Sequence, residues 1–546
     1  MHNPEKLTPI SQSKETQVEV IAQMHNPKNP TSISQSKGTQ AKAIAQMHKQ
    51  KNSSSIGQLI STKFSGINSM QKHNRPTASL LAFGILASSV LLAPAVLAVN
   101  VDSKHHQDSN VQVATSANLS NQMTKNLLSP QLIEISQQID TKTDVLSQPN
   151  LKFDKAKFEA KMREGITDKD GKATAKGFAV VLIKNGKVVH EFADGLAVDK
   201  PGTANDVKMT TSIPTNIGSA FKTISAISLL NFFENDANPA ISVNQWLDKP
   251  FWLYLPQIWQ NEINASKKVE VQNIKKITFR QLLQHKSGFL KDDTMTQPRD
   301  YLLAGVKSEN MGRRVYQNAN FTLLTYVIPN LVDPGFKQAV DAEVKSKNIA
   351  SNNKEFFGKR YGDYFEQYLQ SKIFNKITPK IKPSCDPEVD YGKVNKPFAR
   401  HYSSPTVDSP GTFWSEKKNN GGCHAQGGYY LSAHEFAAFM ANYSATETLI
   451  SKSLRQSLYN PATLATRDER IVWAGEINSP FIKQHFGVDA IPYHGGEQGG
   501  YRTAVVQFPE NYMAVAVVNS GPMSSGGIAT HLKNAWGAGL EDNFKK

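Results

Sequence analysis

The sequence predicts an α+β fold, an α/β sandwich in which an antiparallel β-sheet is flanked by helices and joined to a mostly helical subdomain at about residues 235–485. Three observations predict it. Two β-rich runs, Gly177–Ile183 and Val188–Phe192, flank the dipeptide Asn185-Gly186, whose residues suit a two-residue hairpin turn. Near the other end, Tyr501–Phe508 and Tyr512–Asn519 flank the turn Pro509-Glu510-Asn511. Between them lies a long stretch of helical patterning, so the two ends of the chain are expected to complete one sheet.

The first 150 of the 546 residues do not read as core. Residues 1–23, 24–46 and 47–69 repeat with a period of 23: Met1-His2-Asn3-Pro4 returns as Met24-His25-Asn26-Pro27, and the third unit has decayed. Rich in Gln, Ser, Asn and Lys, the units lack the apolar side chains to stack as a solenoid, and residues 1–69 are expected to be disordered. The next phase falls on Met70, followed by Lys72, Arg75 and an apolar run from Ala78 to Val99 that ends in small residues. That order is an export signal, with Met70 as the expected native start; an uncleaved anchor is the rival reading, since 22 apolar residues can span a bilayer. Residues 100–150 read as a polar linker, His105-His106 included, and residues 151–546 as the globular domain.

The formal net charge is +15. Residues 1–99 hold 10 Lys/Arg against 3 Asp/Glu, leaving a diffuse surplus of 52 against 44 on the rest, without a basic stripe or interleaved aromatics. Nucleic acid is therefore not an expected partner. The chain has two cysteines, Cys385 and Cys423; after export they can form one disulfide, closing a loop of about 38 residues, with two unrelated thiols as the alternative.

The globular part opens with a helical pattern at Phe153–Arg163 and the first hairpin. Then comes Ile217-Gly218-Ser219-Ala220-Phe221-Lys222, leading into an apolar run that reads as a buried helix ending near Asn235-Asp236. Ser219 and Lys222 share a helix face; an amine kept neutral by burial and neighbouring positive charge can take the serine proton and let the oxygen attack an acyl carbon. The same spacing occurs at Ser11/Lys14, Ser34/Lys37, Ser69/Lys72, Ser351/Lys354 and Ser415/Lys418. The buried helix singles out Ser219.

Tyr316-Gln317-Asn318 is the only Tyr-x-Asn among 16 tyrosines. A phenol beside an ammonium is expected to have a depressed pKa and to carry protons, while Asn318 fixes Lys222 or the substrate. Gln426-Gly427-Gly428 and His494-Gly495-Gly496-Glu497 are glycine segments along which backbone can approach a ligand and serve as oxyanion donors. A final helix is expected at Ile528–Leu540.

In this order the motifs resemble the serine β-lactamase and penicillin-recognising superfamily, in the branch of class C β-lactamases, D,D-peptidases, D-aminopeptidases and esterases. Ser219–Lys222 is similar to its first motif, Tyr316–Asn318 to its second and His494–Gly496 to its third. Leu282-Leu283-Gln284-His285-Lys286-Ser287-Gly288 is similar to its "LLxHxSGL" segment, which makes Lys286-Ser287-Gly288 a decoy for the third motif. The resemblance, over about residues 170–525, implies a β-lactamase/transpeptidase-like fold and a covalent acyl-enzyme on Ser219. It implies Lys222 and Tyr316 sharing the base role, Asn318 and His494 completing the catalytic set, and the backbone N–H groups of Ser219 and Glu497 as oxyanion hole, with Gly495, Gly496 and Gly428 lining it. No metal or organic cofactor is implied, because nucleophile, base and oxyanion donors are protein groups. The partner implied is a small-molecule or peptide acyl substrate, cell-wall peptide included.

His494 stands where the β-lactamase branch has Lys, so its charge near neutral pH is conditional. That favours an exported, periplasmic or secreted, ester, amide or peptide hydrolase. A penicillin-binding D,D-carboxypeptidase or β-lactamase, and a non-catalytic binding protein on the same fold, are the alternatives.

Overall fold

A computed structural model describes residues 151–166, 174–202, 205–290, 297–458, 470–521 and 523–545. The repeats, the export signal and the linker expected in residues 1–150 lie outside the described residues.

Helix α1, Lys155–Gly165, starts where Asp154 accepts from the Lys157 N–H, and buries Phe158 and Met162, one turn apart. Strand β1, Gly177–Lys184, turns through Asn185 and Gly186 at φ 50° and 73° into β2, Lys187–Val198. Both turn residues have the positive φ of the mirror-image turn that matches strand twist, which is why Asn-Gly stands there. Short strands β3, Val207–Lys208, β4, Thr215–Asn216, and β5, Tyr430–Leu431, precede β6, Gly475–Asn478, β7, Ala490–Gln498, β8, Tyr501–Gln507, and β9, Tyr512–Val518.

Seven strands form one antiparallel sheet in the order β3-β2-β1-β9-β8-β7-β6, with β4 and β5 pairing separately. β1 lies against β9 with Val181 opposite Val515, so the two ends of the domain do complete the sheet.

Strand periodicity sorts the core into two layers. Phe178, Val180 and Leu182 of β1 pack on one face, with α1 and the last helix, Ser525–Leu540; Ala179, Val181 and Ile183 face the helical part. Because β1 is covered on both faces it reads as a continuous apolar run rather than as alternation. Each of these side chains larger than Ala179 contributes about 1.5–3 kcal/mol relative to exposure.

The helical part is built on α2, Phe221–Asn231, all of it buried; α3, Asn318–Val332; and α4, Lys354–Leu369. A π-helical turn, Phe232–Asp236, extends α2 to the end expected from the sequence. Two elements inside the range 235–485 serve the sheet instead: helix α5, Ala433–Ala445, packs on β1 and β9, and β6 is the edge strand beside β7. Cys385 and Cys423 are joined by a disulfide, Cα–Cα 5.7 Å. Among the described residues, no helix is long and apolar enough to cross a membrane.

Candidate active site

The β4–β5 ladder delivers Ser219. Thr215 and Asn216 pair with Leu431 and Tyr430, the Ile217 N–H donates to the Tyr429 carbonyl at 2.9 Å, and the Gly218 N–H donates to Asn216 Oδ1 at 2.9 Å. Gly218, at φ 52°, then turns the chain into a short 3₁₀ turn, Gly218–Ala220, that runs into α2. The glycine is required twice: its φ is left-handed, and a Cβ there would stand 2.6 Å from the Glu497 backbone N of β7. Across the same gap, a Cβ on Gly496 would overlap the Ile217 carbonyl oxygen. The first and third motifs thus meet backbone to backbone.

Lys222, 1 % exposed, brings its side-chain nitrogen within hydrogen-bond distance of three oxygens: Ser219 Oγ at 3.0 Å, Asn318 Oδ1 at 2.9 Å and the Gln426 carbonyl at 2.6 Å. Burial drives its pKa from 10.5 down to about 7, with the Glu416 carboxylate pulling the other way. Of the two causes expected from the sequence, burial is the one that lowers the amine's pKa; the neighbouring charge that acts on it is a carboxylate, not a cation. Ser415/Lys418 and Ser351/Lys354 differ: Lys418 pairs with Glu388, and Ser351 donates to Glu262 while Lys354 donates to the Asn419 carbonyl.

Tyr316 stands beside Ser219 just before α3, its ring 5.4 Å from the Lys222 nitrogen and 4.4 Å from the His285 ring. Although 43 % of the residue is open to the cleft, the phenol is crowded by protein, and that desolvation pushes its pKa up to about 12 against the pull of the Ser219 hydroxyl and Arg314. The depressed phenol expected from the sequence is therefore corrected. Loss of water around a phenolate costs more than the Ser219 hydrogen bond and Arg314 return, so Tyr316 holds its proton at neutral pH.

His494 is 3 % exposed and donates from Nδ1 to the Gly495 carbonyl at 2.9 Å, which fixes its tautomer. Burial first, and then Lys222, lower its pKa to about 3. Its charge is thus not conditional near neutrality, as expected from the sequence, but absent. It is not among the residues that line the cleft.

The cleft, about 340 Å³, is lined by Ser219, Tyr316, Ala474, Tyr493, Gly495, Glu497 and Ser525. Glu497 Oε1 accepts from both the backbone N–H and the hydroxyl of Ser525, which ties β7 to the start of the last helix. Gly428 is not at the cleft: a Cβ there would strike the Glu416 side chain, and Gly427 closes on the Gly218 carbonyl. Two cavities of about 410 Å³ lie elsewhere, one at the hairpin turns around Asn185 and Asn511 and one between Phe232 and Tyr368. Neither holds Ser219.

Sequence reasoning missed Tyr493, Ser525, Arg314, Glu416 and the Gln426 carbonyl as parts of the site. Arg314 donates to the Ala474 carbonyl at 2.7 Å and flanks the motif it precedes. His285, in the "LLxHxSGL" segment, takes a φ of 56° and accepts the Gln317 N–H at Nδ1, so this segment orients the second motif. Among the described residues one cluster of metal-ligand types, Glu366 with Cys385 and Cys423, comes together, and its sulfurs form the disulfide.

Comparison with solved structures finds FmtA from Staphylococcus aureus at 13% identity, TM-score 0.46, covering 74% of this chain and 96% of that one. A class C β-lactamase from Rhodobacter sphaeroides matches at 16% identity, TM-score 0.44, covering 70% and 97%. A D-amino acid amidase from Ochrobactrum anthropi SV3, complexed with L-phenylalanine amide, matches at 16% identity, TM-score 0.44, covering 71% and 99%. No curated protein matches. A family model described as Beta-lactamase matches residues 158–532, a span that contains the sheet and all three Ser219-side motifs, and the chain belongs to that family.

Proposed function

We propose that this chain is an exported serine hydrolase that cleaves an ester, amide or peptide bond through an acyl-enzyme on Ser219. The observation that carries the reading is the Lys222 amine, buried, lowered to about 7 and 3.0 Å from Ser219 Oγ. A neutral amine at hydrogen-bond distance is a resident general base.

As Ser219 Oγ bonds to the acyl carbon, Lys222 takes its proton. The backbone N–H groups of Ser219 and Glu497, on the two segments that Gly218 and Gly496 allow to close, receive the oxyanion. Tyr316, with its proton in place, donates to the leaving group as the acyl–leaving-group bond breaks, and Lys222 re-protonates the phenolate. Water then attacks the ester of Ser219, giving up its proton by the same pair and returning the hydroxyl.

A neutral His494 offers no fixed cation to a substrate carboxylate, which supports ester, amide or peptide substrates over β-lactams. Export is supported by the basic-then-apolar sequence from Met70 to Val99 and by the disulfide. Membrane attachment would follow only if residues 78–99 stay on the chain, and N-terminal sequencing of the native protein tests this.

The test of the chemistry is to treat the protein and Ser219→Ala with a fluorescent fluorophosphonate and a fluorescent penicillin, reading adduct mass. Phosphonate adduct alone, lost in Ser219→Ala, is the expected result. A penicillin adduct would move the assignment to a penicillin-binding carboxypeptidase or β-lactamase, and no adduct with either reagent would favour a binding protein.

A further inference from the structure

Glu416 is a carboxylate where a carboxylate is expensive. It is 2 % exposed, begins the short helix Glu416–Asn420, and lies against Gly428, which has no Cβ to obstruct it. Burying such a group costs several kcal/mol unless its oxygens are satisfied. Here Trp414 Nε1 donates to Oε2 at 2.8 Å, Asn420 Nδ2 donates to Oε2 at 2.5 Å, and the Gln426 side chain is a third hydrogen-bond partner. The indole and the two amides all supply N–H groups. An ionised carboxylate is acceptor-only, so this is a cradle for the charged form. Desolvation holds the carboxyl pKa above its ordinary value, and the three donors, with Lys222, offset only part of that rise.

The charge that Glu416 serves is Lys222, the one cation acting on it. Gln426 stands between them as a hub. Its carbonyl accepts from Lys222 at 2.6 Å, its Oε1 accepts from Thr322 Oγ1 at 2.6 Å, and its side chain meets Glu416. The single Thr322 hydroxyl proton is shared with the Asn318 carbonyl at 3.1 Å, so the hub ties the second motif to the base. The other titratable or charged groups around Lys222 are Tyr316 and Arg314 ahead of α3, His285 from the turn before it, and His494 from β7, with Glu497 acting on Tyr316. The histidines and Tyr316 are neutral, and Arg314 is positive. Glu416 is the negative charge that acts on the amine.

We propose that Glu416 is a positioning residue for the base: through Gln426 it holds Lys222 against Ser219, and its charge sets the pH above which Ser219 can be acylated. The proposal rests on the acyl-enzyme reading. Without the carboxylate, Lys222 would shed its proton at lower pH, so removing the charge extends activity toward acid rather than abolishing it. An opposite charge nearby shifts a titration by about one unit or more.

The experiment is the second-order rate of fluorophosphonate labelling at Ser219 from pH 5.5 to 9 for the wild-type chain, Glu416→Gln and Gln426→Met. Glu416→Gln keeps the shape and loses the charge. Its acid limb is expected about one pH unit lower, giving about five-fold faster labelling than wild type at pH 6 and equal rates at pH 9. Gln426→Met keeps the backbone carbonyl and breaks the side-chain link; a shift in the same direction is expected, about two-fold at pH 6, and this arm stands if Glu416→Gln fails to fold. A uniform drop at all pH values with an unmoved acid limb would overturn the proposal and leave Glu416 a structural residue. Absence of labelling in the wild-type chain would instead overturn the acyl-enzyme reading, and the proposal with it.

Discussion

Lys222→Met tests whether the fold carries a neutral lysine. In the unfolded chain the amine titrates near 10.5 and in the fold at about 7. The sign follows from proton counts. Below pH 7 both states hold the proton and stability is flat in this group. Between 7 and 10.5 the unfolded chain holds a proton that the native chain lacks, so raising the pH takes an advantage away from the unfolded state. Stability of the wild type therefore rises by about 1.4 kcal/mol per pH unit relative to the variant, or about 3 kcal/mol between pH 7 and 9.5. The absolute effect of the variant mixes a removed desolvation penalty with three lost hydrogen bonds, at Ser219, Asn318 and Gln426, each about 1 kcal/mol. The pH slope of the difference reads only the proton that the unfolded chain holds and the fold releases, so any pH-independent offset drops out of the slope. Urea unfolding of both proteins at matched pH values gives the quantity directly. A wild-type-minus-variant difference that stays level from pH 7 to 9.5 would mean the ammonium remains charged in the fold, and Ser219 would then have no resident base.

Three further outcomes follow from the same geometry. Tyr316→Phe should slow amide cleavage by about 10²–10⁴-fold yet spare fluorophosphonate labelling, because fluoride leaves without a proton and the phenol, held near 12, acts as a donor; comparing the two rates checks this. His494 is held neutral to about pH 3, so the unfolded chain takes up a proton below 6.5 that the fold refuses and stability falls as pH drops. His494→Gln should remove about 2 kcal/mol of that loss between pH 6.5 and 4.5, read by urea unfolding. Gly496→Ala forces a Cβ onto the Ile217 carbonyl; phosphonate labelling should disappear while the far-UV circular dichroism of the sheet persists, since the clash is confined to the contact between β7 and the 3₁₀ turn.

The parts legible in the sequence are those whose reason is local. Asn185-Gly186 marks a hairpin because only a few residues take its two positive φ values, and the Ser219–Lys222 spacing marks a helix face because helical geometry is fixed. The protonation states were not legible, and Tyr316 and His494 show why. Read from the sequence, Tyr316 takes the charge behaviour of a phenol beside an ammonium and His494 that of a free imidazole. Both are governed instead by desolvation, a property of every atom packed around the group, which no spacing along the chain records. The same limit hid Gln426. Its contact with the base is a backbone carbonyl 204 residues from Lys222, and a carbonyl carries no side-chain signature.

Glycine is where the two levels meet. Gly218 reads along the chain as part of the Ser219 motif, and Gly427 and Gly496 as members of two glycine segments; in the fold each gives up its Cβ to one convergence. Gly427 closes on the Gly218 carbonyl, Gly218 on the Glu497 amide, and Gly496 on the Ile217 carbonyl. Three chain segments, far apart in sequence, reach van der Waals contact through main chain alone at the residue next to Ser219. Main-chain N–H groups are then available at the serine without a flexible side chain to order, which is what an oxyanion site needs to be formed before the substrate arrives. The cost is that none of these positions tolerates a methyl group, and the precision of the nucleophile is set by residues with no chemistry of their own.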